Sequence, residues 1–182
     1  MTYLCKELEQ FRPYFIEDPL RAEPIALHRE LRRQTSAPLA VGEHYASKWE
    51  FQPLIEEDLI NFARIDLCIC GGLTEARKIA GWCETHLIYL APHNPLGPVS
   101  TAACLHLDLA SSLVGVQELP RLPGTVVPDV FPTQVTFEDG HLLPPTAPGL
   151  GVEFNEEAAA EHPYRPGTGP RLRREDGSFT NW

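Results

Sequence analysis

Residues 64–95, RIDLCICGGLTEARKIAGWCETHLIYLAPHNP, hold a complete strand–helix–strand pattern. An apolar run, Ile65–Ile69, is followed by Gly71-Gly72. Ala76, Ile79, Ala80 and Cys83 then share one helical face behind Thr74, an N-cap candidate, and a second apolar run, Ile88–Ala91, closes the unit. Each run is apolar at successive rather than alternate positions, as in strands covered on both faces of a parallel sheet.

The same unit recurs to either side. Apolar runs at Tyr14–Ile16, Leu39–Val41 and Val114–Val116 bring the set to five, with centres about 25 residues apart. Helical faces lie between them: Leu20, Pro24, Leu27 and Leu31; Phe51, Leu54, Ile55 and Leu59; and Ser100–Ala110, apolar almost all round. Leu4, Leu8 and Phe11 mark an opening helix with no strand before it. Right-handed crossovers make all five strands parallel, in an open doubly wound sheet or in part of a (β/α)8 barrel. Periodicity alone leaves both open.

The chain has 182 residues, 43% of them hydrophobic and 22% charged, which suits a folded α/β domain rather than a disordered segment. A formal net charge of −10 disfavours a nucleic-acid partner, which needs a basic stripe against phosphates. The one basic cluster, Arg171, Arg173 and Arg174, runs straight into Glu175 and Asp176 and reads as a solvated face. No apolar stretch approaches the roughly 20 residues of a membrane span, and the start, MTYLCKELEQ, lacks a basic segment before an apolar one. A cytoplasmic protein with no membrane partner is the expectation. Cys5, Cys68, Cys70, Cys83 and Cys104 include no C-x-x-C pair and read as reduced thiols, with Cys68 and Cys70 packing on one side of a strand.

Proline and glycine divide the chain. Residues 1–119 hold 8 Pro and 6 Gly, whereas the 63 residues from 120 onward hold 10 and 7. The expected division is a barrel-like part over 1–120 and a loop, hairpin and tail segment over 121–182. Within the latter, Thr133–Glu138 and His141–Leu143 flank Asp139-Gly140 as a hairpin.

The runs end on ionisable groups: Glu17 in FIEDP, Glu43 in AVGEH, Asp66 in RIDLC, His93 in LAPHNP and Glu118 in VQELP. In a barrel, the C-terminal strand ends converge on the mouth where active sites sit. Glu17 and Glu43 on neighbouring tips can share a hard cation, and Mg²⁺ is expected. The alternative is that each pairs with a lysine or arginine. Asp66 can accept one imidazole N–H of His93, leaving the other nitrogen for acid–base work. Glu118 suits either substrate binding or a salt bridge at the mouth, and His44 is placed to touch substrate. Gly71-Gly72 reads as a tight turn, and His106 and Asp108 as structural. G-x-S-x-G and G-x-G-x-x-G are both absent from the sequence.

With those residues placed, the chain resembles the enolase superfamily, specifically the sugar-acid dehydratases of the mandelate racemase type, and among them most nearly the galactonate dehydratases. FIEDPLRAEP, PLAVGEHYASKWEF, RIDLCICGGLTEARKIAG, LAPHNPLGPVSTAACLHLDLA and GVQELP carry the resemblance in family order over residues 14–120. PGLGVEFNEE, HPYRP and REDGSFTNW resemble the C-terminal segment of the same group, the last of them also that of the mannonate dehydratases.

The resemblance implies that Glu17 and Glu43 are Mg²⁺ ligands, that Asp66 and His93 form a dyad with His93 as the base, and that Glu118 hydrogen-bonds the substrate. The implied reaction removes the proton α to the carboxylate of a galactonate-type sugar acid and expels the β-hydroxyl, giving a 2-keto-3-deoxy acid. Mannonate and gluconate are the alternative substrates. The family also has an N-terminal capping domain, three earlier barrel strands, an Asp ligand on the third and an acid/base residue beside it, and its full-length members are expected to be homo-oligomers. This chain corresponds to the barrel from strand four onward. A second class of reading therefore stands beside the enzyme: a non-catalytic fragment, or a half-barrel assembly partner.

Overall fold

The computed structural model describes residues 1–166 and 172–178. Arg171 and residues 179–182 of the REDGSFTNW segment lie outside them. Helix α1 (Thr2–Glu9) precedes a regular alternation of β1 (Ile16–Glu17), α2 (Ile25–Gln34), β2 (Leu39–Val41), α3 (Lys48–Glu56), β3 (Phe62–Ala63), α4 (Gly72–Thr85), β4 (Tyr89–Leu90) and α5 (Pro98–Leu109). The four strands pair in parallel in the order β1-β2-β3-β4, and a parallel bridge from Leu90 to Val114 adds a fifth chain crossing at the edge. This order never reverses, so the sheet has no topological switch point and is an arc of a (β/α) barrel rather than a doubly wound sheet.

The two faces of the arc differ in what covers them. Val41, Ala63 and Leu90 face the helices and join Phe51, Leu54, Ile55, Ile79, Cys83 and Leu107 in the main core. Ala40, Phe62 and Ala91 point to the concave side with Phe15 packed on them, and Tyr14, Phe15, Phe62 and Tyr89 form a chain of tilted ring contacts there. Beyond α5 come the hairpin of β5 (Phe137–Glu138) and β6 (His141–Leu142) and the short α6 (Glu156–Ala160). Among the described residues no helix is long and apolar enough to cross a membrane.

Several local expectations need correction. The third strand is Phe62–Ala63 and not Ile65–Ile69. The ladder extends to Ile65, whose carbonyl accepts from His93 N at 3.1 Å, but the chain then turns. Leu67 and Cys70 are apolar because they plug the main core from that turn, which mimics a buried strand in sequence. Cys68 is exposed rather than packed against Cys70. Helix α4 starts at Gly72 with Gly71 as its N-cap at φ +108°, a left-handed conformation that glycine adopts without strain, so Thr74 sits inside the first turn. Leu20 precedes α2, which begins only after Pro24.

Asp108 on α5 is buried, with neither carboxylate oxygen hydrogen-bonded among the described residues, and burial pushes its pKa up to about 7 from the ordinary 3.8. Between these values the folded chain keeps a proton that the unfolded chain has released. Stability therefore falls as pH rises from about 4 to about 7, and the loss persists above that. Asp108→Asn removes the charge, so the variant melts above the parent at pH 8, by on the order of 2 kcal/mol, and the gap closes by pH 4. Thermal unfolding at the two pH values checks this.

Candidate active site

The C-terminal end of each strand, or the turn just after it, brings a side chain to the same rim. Glu17 ends β1, in register with Ala40, and Asp18 follows with φ +37° while its N–H donates to the Ala40 carbonyl at 3.0 Å. Glu43 comes two residues after β2, across Gly42 at φ +136°. A Cβ on Gly42 would lie 2.5 Å from Phe51 Cε1, so only glycine lets the chain turn over that ring and present Glu43. Tyr45, whose hydroxyl donates to the Ala22 carbonyl at 2.8 Å, pins the loop that follows.

Asp66, His93 and Glu43 stand in line. Asp66 Oδ1 accepts the Cys68 N–H at 2.7 Å, which fixes the carboxylate, and Oδ2 lies 2.9 Å from His93 Nδ1. His93 Nε2 then faces Glu43 Oε2 at 3.6 Å. The His93 N–H to Ile65 bond and the prolines at 92 and 95 set the direction of the ring. With Nδ1 donating to Asp66, Nε2 is the basic nitrogen, aimed at the same hollow as the Glu43 carboxylate.

Arg64 is the residue sequence reasoning overlooked. Its side chain is 4% exposed; Nη1 donates to the Ala91 carbonyl at 2.9 Å, Nη2 donates to Glu118 Oε2 at 2.6 Å, and Nε is 2.5 Å from Glu17 Oε1. Both Glu17 and Glu118 thus have the arginine partner that was the alternative to ion or substrate binding. Glu118 also accepts the Asn94 N–H at 2.9 Å. Burial alone would raise the Glu118 carboxyl, but the Asn94 N–H, Arg64 and nearby His93 outweigh it and hold the group below the usual range. Arg64 is two residues before Asp66 and two after the inward Phe62, so all three share the concave face.

Asp18 was also overlooked, hidden behind Glu17 in the EDP triplet. Asp18, Glu43 and His44 each bring a ligand atom within 4.8 Å of the others, and His44 Nε2 lies 3.2 Å from Glu43 Oε1. Burial, reinforced by the Glu43 charge, pushes Asp18 up to about 6. The carboxylate oxygens of Asp18 and Glu43 are the donors a hard divalent cation such as Mg²⁺ takes, and His44 adds a nitrogen. A cavity of about 590 Å³ opens beside them toward Met1, Leu20, Arg21 and Leu27; Asp66, His93 and Glu118 do not line it.

Residues 2–158 match the family model for the enolase C-terminal domain-like family. A D-mannonate dehydratase of Caulobacter vibrioides is 42% identical over 182 residues, covering 98% of this chain and 45% of that protein. A D-galactonate dehydratase family member of Streptomyces bingchenggensis is 41% identical over 98% of this chain and 44% of its own length. The chain thus spans a little under half the length of the curated relatives it matches. Among solved structures, an enolase of Pantoea ananatis with bound D-gluconate and Mg superposes with a TM-score of 0.86 at 34% identity, over 91% of this chain and 40% of that one. An enolase of Agrobacterium radiobacter with bound Na and L-malate gives 0.88 at 32%, over 97% and 48%.

Proposed function

Since this chain belongs to the enolase C-terminal domain-like family, we propose that it carries the proton-abstracting half of an Mg²⁺-dependent sugar-acid dehydratase acting on a six-carbon aldonate, of galactonate type or its mannonate and gluconate isomers. The observation that carries this reading is the Asp66–His93–Glu43 line, at 2.9 and 3.6 Å. Glu17 and Glu43 would hold the ion, with Asp18 beside them. When bound, a divalent ion neutralises the substrate carboxylate and so favours release of the adjacent proton.

His93 Nε2 takes the proton from C2, and Asp66 stabilises the imidazolium through Nδ1–H. The C2–H electron pair becomes the C2–C3 double bond as the C3 hydroxyl departs as water, protonated by a general acid that the preceding barrel segment would have to supply. His93 returns its proton to solvent, and the resulting enol ketonises to the 2-keto-3-deoxy acid. Glu118, kept charged by Arg64 and Asn94, accepts a substrate hydroxyl, and His44 lines the cavity beside Asp18 and Glu43. Asp66→Asn preserves shape but removes the charge that selects the productive tautomer, so kcat falls by about 10²–10⁴-fold with KM nearly unchanged. Steady-state kinetics of the variant give both numbers.

A second reading is favoured by the open edge of the arc. Tyr14 and Tyr89, at the concave side, are 60% and 44% exposed, so a further polypeptide segment would complete the layer they begin. The test covers both readings: galactonate, mannonate and gluconate are incubated with Mg²⁺ and either the chain alone or a chimera extended by the preceding residues of the Caulobacter relative. Dehydration by the chimera of one aldonate supports the enzyme; a folded, Mg²⁺-binding chimera inert to all three contradicts it. A chain that is inert alone but active when extended supports the second reading.

A further inference from the structure

The nitrogens of Arg64 are used unequally. Nη1 and Nη2 donate to the carbonyls of Ala91 and Pro92 and to Glu118, which fixes the guanidinium to β4 and the fifth crossing. Nε lies 2.5 Å from Glu17 Oε1, a close ion-pair contact. Glu118 is held by Arg64 and by the Asn94 N–H, whereas the ion pair shown for Glu17 among the described residues is the one with Arg64. Glu17 is also 39% exposed and ends a two-residue strand, so of the two ions in this pair the carboxylate is the one able to move.

Resting on the divalent-ion reading above, we propose that Arg64 is a positioning residue that neutralises Glu17 while no cation is bound and competes with the cation for it. Binding of the ion then transfers Glu17 from Arg64 to the metal while Arg64 stays on Glu118. A guanidinium keeps its proton at any accessible pH, so only a rival cation can take its place. Arg64 further opposes the ion by repulsion across the same few ångströms, so competition and repulsion act with one sign. A residue serving only to brace the rim predicts the opposite, since losing it would scatter the ligands and weaken binding.

Calorimetric titration of Mg²⁺ into the full chain, into Arg64→Met and into Arg64→Lys decides between them, with circular dichroism to establish that each is folded. The expected result is a Kd at least about fivefold tighter in Arg64→Met, and an intermediate value in Arg64→Lys. In the unaltered chain carrying ¹⁵N-arginine, the Arg64 Nε–H resonance moves in step with Mg²⁺ saturation. Should Arg64→Met not fold, Arg64→Lys and the resonance carry the decision. Equal or weaker binding by the folded variants, or a resonance that stays still at saturation, overturns the proposal and leaves the divalent-ion reading intact. No binding by any of the three up to tens of millimolar overturns both.

Discussion

Replacing His93 with Asn removes turnover of the aldonate by about 10³–10⁴-fold in kcat, the upper part of what a positioned base supplies. The amide keeps a hydrogen bond within reach of Asp66 but has no basic nitrogen, so the C2 proton has no acceptor in line with Glu43. Binding is expected to change far less, because in the proposed arrangement Glu17 and Glu43 would hold the ion and the ion, not His93, would hold the substrate carboxylate. The Mg²⁺ Kd of His93→Asn therefore stays within about threefold of the parent while deuterium exchange at C2 is lost. A variant that exchanges the C2 proton at the parental rate removes the role given to His93.

The second large effect is structural and sits directly beneath the site. Phe51 is fully buried, meets Tyr45 edge-on at 5.3 Å, and lies under Gly42, so its ring supports the loop carrying Glu43 and His44. Phe51→Ala is expected to cost about 3–5 kcal/mol, a large share of the stability of an ordinary domain. Gly42→Ala in the parent is expected to cost about 2–4 kcal/mol, from the clash with that ring and from the positive φ together. In the Phe51→Ala background the clash is gone and only the backbone strain remains, so the second substitution costs roughly half as much. Denaturant unfolding of the four proteins measures the coupling; strict additivity would show that the ring and the glycine do not meet.

The βα repeat was legible because strands buried on both faces and amphipathic helices have distinct periods, and because Ala76, Ile79, Ala80 and Cys83 all enter the main core. Barrel against open sheet was not legible in the periodicity; the ionisable run ends and the family resemblance pointed to the barrel, which the structure bears out. That distinction rests on strand order, which depends on pairing between residues far apart in sequence. Strand three was misplaced by a few residues because Leu67 and Cys70 bury from a turn, and burial rather than strand geometry is what an apolar run reports.

At the site, Asp66 and His93 were legible as a pair because each stands at or just past the end of an apolar run and the ends of adjacent strands are neighbours. Asp18 and Arg64 were not. Asp18 depends on a positive φ that turns it toward Glu43, and the importance of Arg64 depends on two carboxylates arriving from strands more than 40 residues away on either side. A lone arginine within a strand carries no such message by itself. The residues that tune the charge of the rim are thus the ones that only three-dimensional proximity exposes.

The most direct measurement is a crystal structure of the protein with Mg²⁺ and an aldonate bound. The account requires C2 of the sugar acid about 3–3.5 Å from His93 Nε2, with the ion on Glu43 and the Asp66–His93 hydrogen bond intact. An aldonate lodged away from that imidazole, or an ion held without Glu43, would contradict it.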